Sequence, residues 1–161
     1  MKKYFTKKKI ALALIIVLVV MQAFRIDKTT KPVDVNTDFI SVTGANAEVA
    51  QILKTSCYDC HSDQPTYPWY TNIAPVSWWI KHHINEGSGH LNFSIWETYK
   101  DKRKHHKLEE CIEMVEEAEM PLNSYTWMHK EAKLTDVQRE TLVAYFKGLK
   151  ESMNMPVEQE D

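Results

Sequence analysis

The sequence predicts an all-α fold: one small helical domain preceded by an N-terminal membrane segment. Three observations lead there. Apolar residues recur at helical spacing in several stretches beyond residue 45, some of them opened by a capping residue. No run alternates apolar and polar residues as a half-buried strand would. Finally, the first 25 residues hold Lys2, Lys3, Lys7, Lys8, Lys9 and Arg25 and no acid, around an apolar run from Ile10 to Val20.

That leader has the form of an export signal, a positive segment followed by an apolar one. No Ala-x-Ala cleavage site follows it. The reading is an uncleaved signal anchor: residues 1–9 a cytoplasmic basic region, residues 10–26 a transmembrane helix. The apolar run is short of the roughly 20 residues a span uses. Snorkelling lysine stems and Arg25 at the far interface relax that demand. By the positive-inside rule the body lies outside the cytoplasm. The expected location is the bacterial inner membrane, single-pass, with the domain facing the periplasm.

Beyond Arg25 the chain has 14 basic and 22 acidic residues, a net charge of −8 with His neutral. An acidic body repels phosphates, so nucleic acid is excluded as a partner. It suits docking on a basic redox partner protein or a membrane redox complex.

Residues 27–45 read as a linker of Lys, Thr, Pro, Asp and Asn. The domain is expected over 46–152. Asn46 caps a helix from Ala47 to Ser56, with Val49, Ile52 and Leu53 on its apolar face. A loop rich in Pro and aromatics follows, Gln64 to Tyr70. Pro75 fits the first turn of a second helix, Val76 to Asn85, ended at a Gly87-Ser88-Gly89 turn. A short helical stretch around Trp96 and Tyr99 is capped by Ser94. A longer helix covers Lys104 to Ala118, with Leu108, Cys111, Ile112 and Val115 on one face. It stops before Pro121, which disfavours α geometry at Met120. Thr135 and Gln138 form a capping box for the last helix. Its core face is Val137, Leu142, Val143, Phe146 and Leu149. Residues 153–161 are an acidic tail.

The chemistry sits in Cys57-Tyr58-Asp59-Cys60-His61, a Cys-x-x-Cys-His sequence. This is the attachment spacing of a c-type haem. Two thiols can add across the two vinyl groups on one porphyrin edge. The next residue then lies under the ring, where a neutral imidazole binds iron. Cys57 and Cys60 are therefore the covalent attachment residues and His61 the proximal iron ligand. A redox disulfide would want a βαβ context, and a zinc site a second Cys-x-x-Cys or a His-x-x-x-His pair; neither is present in the sequence. One covalent haem c also fills a centre that short helices cannot fill alone.

For the sixth iron position Met120 is the first candidate: a thioether between a helix and a stiff Pro, far in sequence from His61. Its alternative role is core filler. His90 could bind iron or a propionate, and Met128 or His129 are further candidates. His82 with His83, and His105 with His106, read as solvated helix surface. Tyr67, Trp69, Tyr70, Trp78 and Trp79 either wall the haem or pack as ordinary core. Cys111 has no obvious mate and reads as a buried or free thiol.

Several ordered stretches carry a resemblance: Cys57 to Ser62, Tyr67-Pro68-Trp69-Tyr70, Asn72 to Trp78, His90-Leu91-Asn92-Phe93-Ser94, Glu119-Met120-Pro121 and Leu134-Thr135. Together the chain from about Ala47 to Lys150 resembles the haem-binding domain family, small exported cytochrome-c-like proteins. The resemblance implies a monohaem c-type domain with His61 proximal and Met120 distal. Many relatives carry a second proline after the Met-Pro pair, where this chain has Leu122. The expected function is electron transfer, since iron held by His and Met needs no catalytic machinery. The alternative is a haem-based peroxidase or a gas or redox sensor with a labile sixth ligand.

Overall fold

A computed structural model describes residues 6–153; the first lysines of the leader and the acidic tail lie outside the described residues. Among the described residues there are helices and turns and no strand. The all-α expectation therefore holds.

Helix α1 (Lys7–Met21) carries the apolar run, and its side chains from Ile10 to Val20 are exposed. Its 15 residues measure roughly 22 Å, against about 30 Å for a hydrocarbon core. No helix among the described residues is long and apolar enough to cross a membrane. The expected span over 10–26 is thus cut short at Met21, and the structure shows why. Gln22, the C-cap of α1, bonds the Leu18 carbonyl of its own helix and also reaches across to the domain. Its Oε1 accepts from the Ala74 backbone N–H (2.9 Å), and its Nε2 donates to the Ala74 carbonyl (3.0 Å). Residues 22–31 then run along the domain surface, where Lys28 donates to Thr71 Oγ1 and Asn72 Oδ1.

The stretch read as a linker is part of the domain from Asp34 onward. Asp38 caps a single-turn helix α2 (Phe39–Val42) by accepting from the Ile40 N–H (3.1 Å). Phe39 is wholly buried, with its ring 4.9 Å from both Phe93 and Trp96. One turn has no periodicity to detect, which is why its apolar residue passes for a scattered one.

Helix α3 (Ala47–Ser56) has the expected bounds. Asn46 Oδ1 accepts from the Val49 N–H, and Val49, Ile52 and Leu53 are buried. Cys57 breaks the helix, and α4 (Tyr58–His61) follows at once.

Helix α5 (Val76–His90) starts after Pro75 as expected but runs one turn further than predicted. Gly87 and Gly89 do not form a turn. Glycine at 87 serves a close approach instead: a Cβ there would lie 2.8 Å from the Cys60 carbonyl oxygen. Packing against the motif outweighs the propensity penalty of about 1 kcal/mol per helical glycine. A 3-10 segment, Phe93–Thr98, comes next. Its cap is Asn92 rather than Ser94, with Asn92 Oδ1 accepting from the Ser94 N–H.

Helix α6 (Asp101–Glu116) buries Leu108 and Val115, and Cys111 and Ile112 pack against the same core. It begins three residues earlier than expected. It ends two residues earlier too, with Ala118 in the left-handed region at φ 60°. The Glu119 and Met120 N–H groups both return to the Met114 carbonyl at 3.0 Å. Alanine in that conformation costs about 1–2 kcal/mol where glycine costs little. Ala118→Gly is therefore expected to raise stability by about 1 kcal/mol in urea unfolding, with the spectrum of the protein unchanged.

A short helix α7 (Asn123–Thr126) and a 3-10 turn, Lys130–Ala132, lead to α8 (Asp136–Ser152). The Thr135–Gln138 capping box is present. Leu142, Val143 and Phe146 are buried and Leu149 packs partly against them. Val137 does not: it is 67% exposed. It lies five residues before Leu142, which carries it about 140° around the helix from that face. Helices α6 and α8 pack antiparallel, tied by Lys150 to Glu109 (2.8 Å) and by the Arg139 guanidinium on the Val115 carbonyl.

Candidate haem site

The site is built on the break between α3 and α4. Cys57, Cys60 and His61 leave a one-turn helix together, and every other residue of the motif is pinned. Tyr58 stacks on Phe93 at 5.3 Å, and its hydroxyl donates to Asp38 Oδ2 (3.1 Å). Asp59 Oδ1 accepts from the Thr66 N–H (3.0 Å), and Asp59 Oδ2 accepts from the Tyr125 hydroxyl (2.7 Å). The residues between the cysteines thus hold α2 on one side and α7 on the other. Sequence reasoning passed over both, because nothing in a Cys-x-x-Cys-His pattern constrains the middle positions.

His61 is oriented from behind. Its Nδ1 lies 3.1 Å from the Leu91 carbonyl, which can only accept, so Nδ1 carries the proton. Nε2 is then the nitrogen with a free lone pair. Burial lowers the His61 pKa, while the Leu91 and Gly87 carbonyls oppose that shift, leaving a neutral imidazole at pH 7. The carbonyl is held in turn by Asn92, which is buried. Its Nδ2 donates to Asp63 Oδ1 (2.9 Å), and its backbone N–H donates to the Tyr99 hydroxyl (3.0 Å). Ser94 Oγ accepts from the Asp63 N–H (3.0 Å). The Leu91-Asn92-Phe93-Ser94 run is therefore the scaffold behind the imidazole, a role that periodicity cannot reveal.

Both motif cysteines are free thiols in the structure. Burial, then the neighbouring Cys60, pushes Cys57 up to about 12; burial, then Asp59, pushes Cys60 up to about 11. Redox dithiols show the opposite, a thiolate at or below neutral pH. Among the described residues no three His, Cys, Asp or Glu side chains gather as a metal cluster. Two protonated thiols beside a lone-pair imidazole are a donor set that fits a covalently bound haem. Cys111 lies near Cys57, and burial pushes its thiol up as well.

Met120 is half-buried in the turn that follows Ala118. The same loop runs into α7, whose Tyr125 bonds Asp59, so the chain carrying Met120 is tied to the motif. His129 is committed elsewhere. Its Nδ1 donates to Glu131 Oε1 (3.2 Å), and its Nε2 accepts from the Tyr70 hydroxyl. Met128 is exposed. His90 is exposed at the end of α5, close enough to His61 to depress its pKa. His83 Nδ1 contacts the Trp79 carbonyl (2.9 Å), and His106 pairs with Glu110 (3.2 Å). His82 is exposed, and His105 lies on the rim between α6 and α8. Of the aromatic cluster, Tyr70 lies beside Cys60, Tyr67 takes a hydrogen bond from Lys81 (3.1 Å), and Trp69 and Trp79 are exposed. The Trp78 indole N–H goes to the Phe24 carbonyl (2.8 Å).

No curated protein and no solved structure matches the chain. The haem-binding domain family does, over residues 16–148, a stretch that runs from the middle of α1 to the last turns of α8 and contains every residue of the site. On that match, and with a donor set suited to its cofactor, the chain belongs to the haem-binding domain family.

Proposed function

We propose that this haem-binding protein is a monohaem c-type electron carrier, anchored in the bacterial inner membrane with its domain on the periplasmic side. Cys57 and Cys60 hold one haem covalently, His61 is the proximal ligand and Met120 the distal one. The two thiols would hold the haem through thioethers to its two vinyl groups, an addition that neither gains nor loses electrons. Once bound, the haem supplies an iron centre that exchanges one electron. The observation that supports the reading most is the His61 ring, presented with its Nδ1–H donating to the Leu91 carbonyl and its Nε2 lone pair left to bind a metal. A methionine ligand favours the ferrous form and raises the potential. The acidic body suits a basic redox partner or membrane complex.

The ferrous wild-type protein is expected to resist carbon monoxide. Met120→Ala is expected to bind it readily and to show a lower midpoint potential, read by titration. Ready binding by the wild type would instead favour the peroxidase or sensor reading, with a labile sixth position. A peroxidase needs a distal acid–base group, for which His90 and His129 are the candidates; His129 has both ring nitrogens engaged, which leaves His90, exposed at the end of α5.

A further inference from the structure

We infer that the end of the domain where α1 leaves it, the first turn of α5 with the segment Gln22–Lys28, rests on an anionic bilayer surface. The inference builds on the anchoring proposed above and adds which face of the domain meets the lipid. Four observations carry it. First, α1 is not on a loose tether: Gln22 bonds both the backbone N–H and the backbone carbonyl of Ala74, and Trp78 bonds the Phe24 carbonyl. The exposed apolar helix and the start of α5 are therefore held together. Second, α1 is roughly 8 Å shorter than a hydrocarbon core, a mismatch that draws the adjoining domain surface towards the bilayer.

Third, the outward side of that surface, from Phe24 through Ile73 to the first turn of α5, is apolar. Phe24 is 64% exposed, Ile73 and Val76 44%, Trp79 49% and Trp78 37%. Tryptophan is enriched at membrane interfaces for its large amphipathic ring; the Trp78 indole N–H is already satisfied by the Phe24 carbonyl, which leaves its apolar body outward. These side chains are not at the haem end of the helix. Gly87, which touches Cys60, lies eleven residues beyond Val76, roughly 16 Å along the axis. Fourth, the segment is net positive where the rest of the body is acidic: Arg25 and Lys28 line a cleft of about 180 Å³ against Thr71, Asn72 and Ala74, and the exposed Asp27 between them in the chain is offset by Lys81 close by. The positive end of the α5 dipole points the same way. Cations near an anionic leaflet contribute about 1 kcal/mol each. The geometry holds the Cys60 end of α5 away from the lipid, towards a partner outside the membrane.

The test uses the full-length holoprotein in vesicles of phosphatidylethanolamine and phosphatidylglycerol, with p-benzoylphenylalanine placed at Val76 or at Glu86. The two positions are on one helix, roughly 15 Å apart. Illumination is expected to give lipid adducts by intact mass at 76 and not at 86. Adding Arg25→Gln is expected to lower the adduct yield about fivefold. Equal adducts at both positions, no lipid adduct at 76, or chain-to-chain products at 76 would each overturn the inference, the last by assigning the face to a second copy. Alkaline carbonate extraction of the same vesicles separates the two failures. Release of the protein defeats the anchoring and this inference with it; retention without adducts at 76 defeats this inference alone.

Discussion

Phe39→Ala is expected to lower the stability of the holoprotein by about 3–5 kcal/mol, the range for emptying a buried phenylalanine site. Set against a total of about 5–15 kcal/mol for a small domain, that is a large loss. The ring is wholly buried and meets Phe93, Trp96 and Phe146 with centroids 4.9, 4.9 and 6.1 Å away. None of these aromatics can move in without leaving another partner. The effect should also reach the haem motif. Phe93 stacks on Tyr58, and Tyr58 bonds Asp38 at the start of α2. Urea unfolding should show the drop in midpoint, and matured yield should fall with it. Deleting the whole leader and stopping short of residue 34 should not have this effect, because Phe39 then stays in place.

The second large effect reverses an ordinary rule. Alanine for glycine inside a helix normally stabilises by up to about 1 kcal/mol. Gly89→Ala should follow that rule, since nothing lies within 4 Å of the added methyl. Gly87→Ala should do the opposite. Its Cβ would sit 2.8 Å from the Cys60 carbonyl oxygen and 3.2 Å from the Cys60 carbonyl carbon, both backbone atoms that cannot swing aside. Moving α5 away from α4 would relieve the clash but also shift Leu91, and with it the carbonyl that orients His61. A net loss of about 1–3 kcal/mol is expected, as for an overpacked core site. The thermal midpoints of the two alanine variants, measured side by side, check the prediction through their opposite signs.

These two residues also mark where sequence reading stops. Helices α3, α6 and α8 were legible because each carries apolar residues at i, i+3 and i+4 spacing, over about two turns or more in α6 and α8, and because α3 and α8 begin at Asn46 and Thr135, caps whose bonds are local. Phe39 was not, since a four-residue helix has no period. The far end of α5 was not, since only a contact with Cys60, 27 positions earlier, explains glycine at 87. At the site the residues that touch the cofactor chemistry, Cys57, Cys60 and His61, stand together in the chain and announce themselves by spacing. The residues that hold them do not. Leu91 acts through its backbone carbonyl, which any side chain supplies. Asn92, Asp59 and Tyr125 act through bonds to positions 29, 7 and 66 residues away. Val137 shows the converse error, an apolar residue counted to a face that lies 140° away by the geometry of the helix.

The reading of the whole molecule rests on two thiols and an imidazole joined to one porphyrin. Intact mass of the full chain, produced with a cytochrome maturation system and denatured before weighing, tests this most directly. The expected result is a single species heavier than the polypeptide by one haem, with a pyridine haemochrome band that survives acid–acetone extraction. Cys57→Ser with Cys60→Ser should lose both. A wild-type chain at the bare polypeptide mass, or colour that extraction removes, would contradict covalent attachment and the electron-carrier reading built on it.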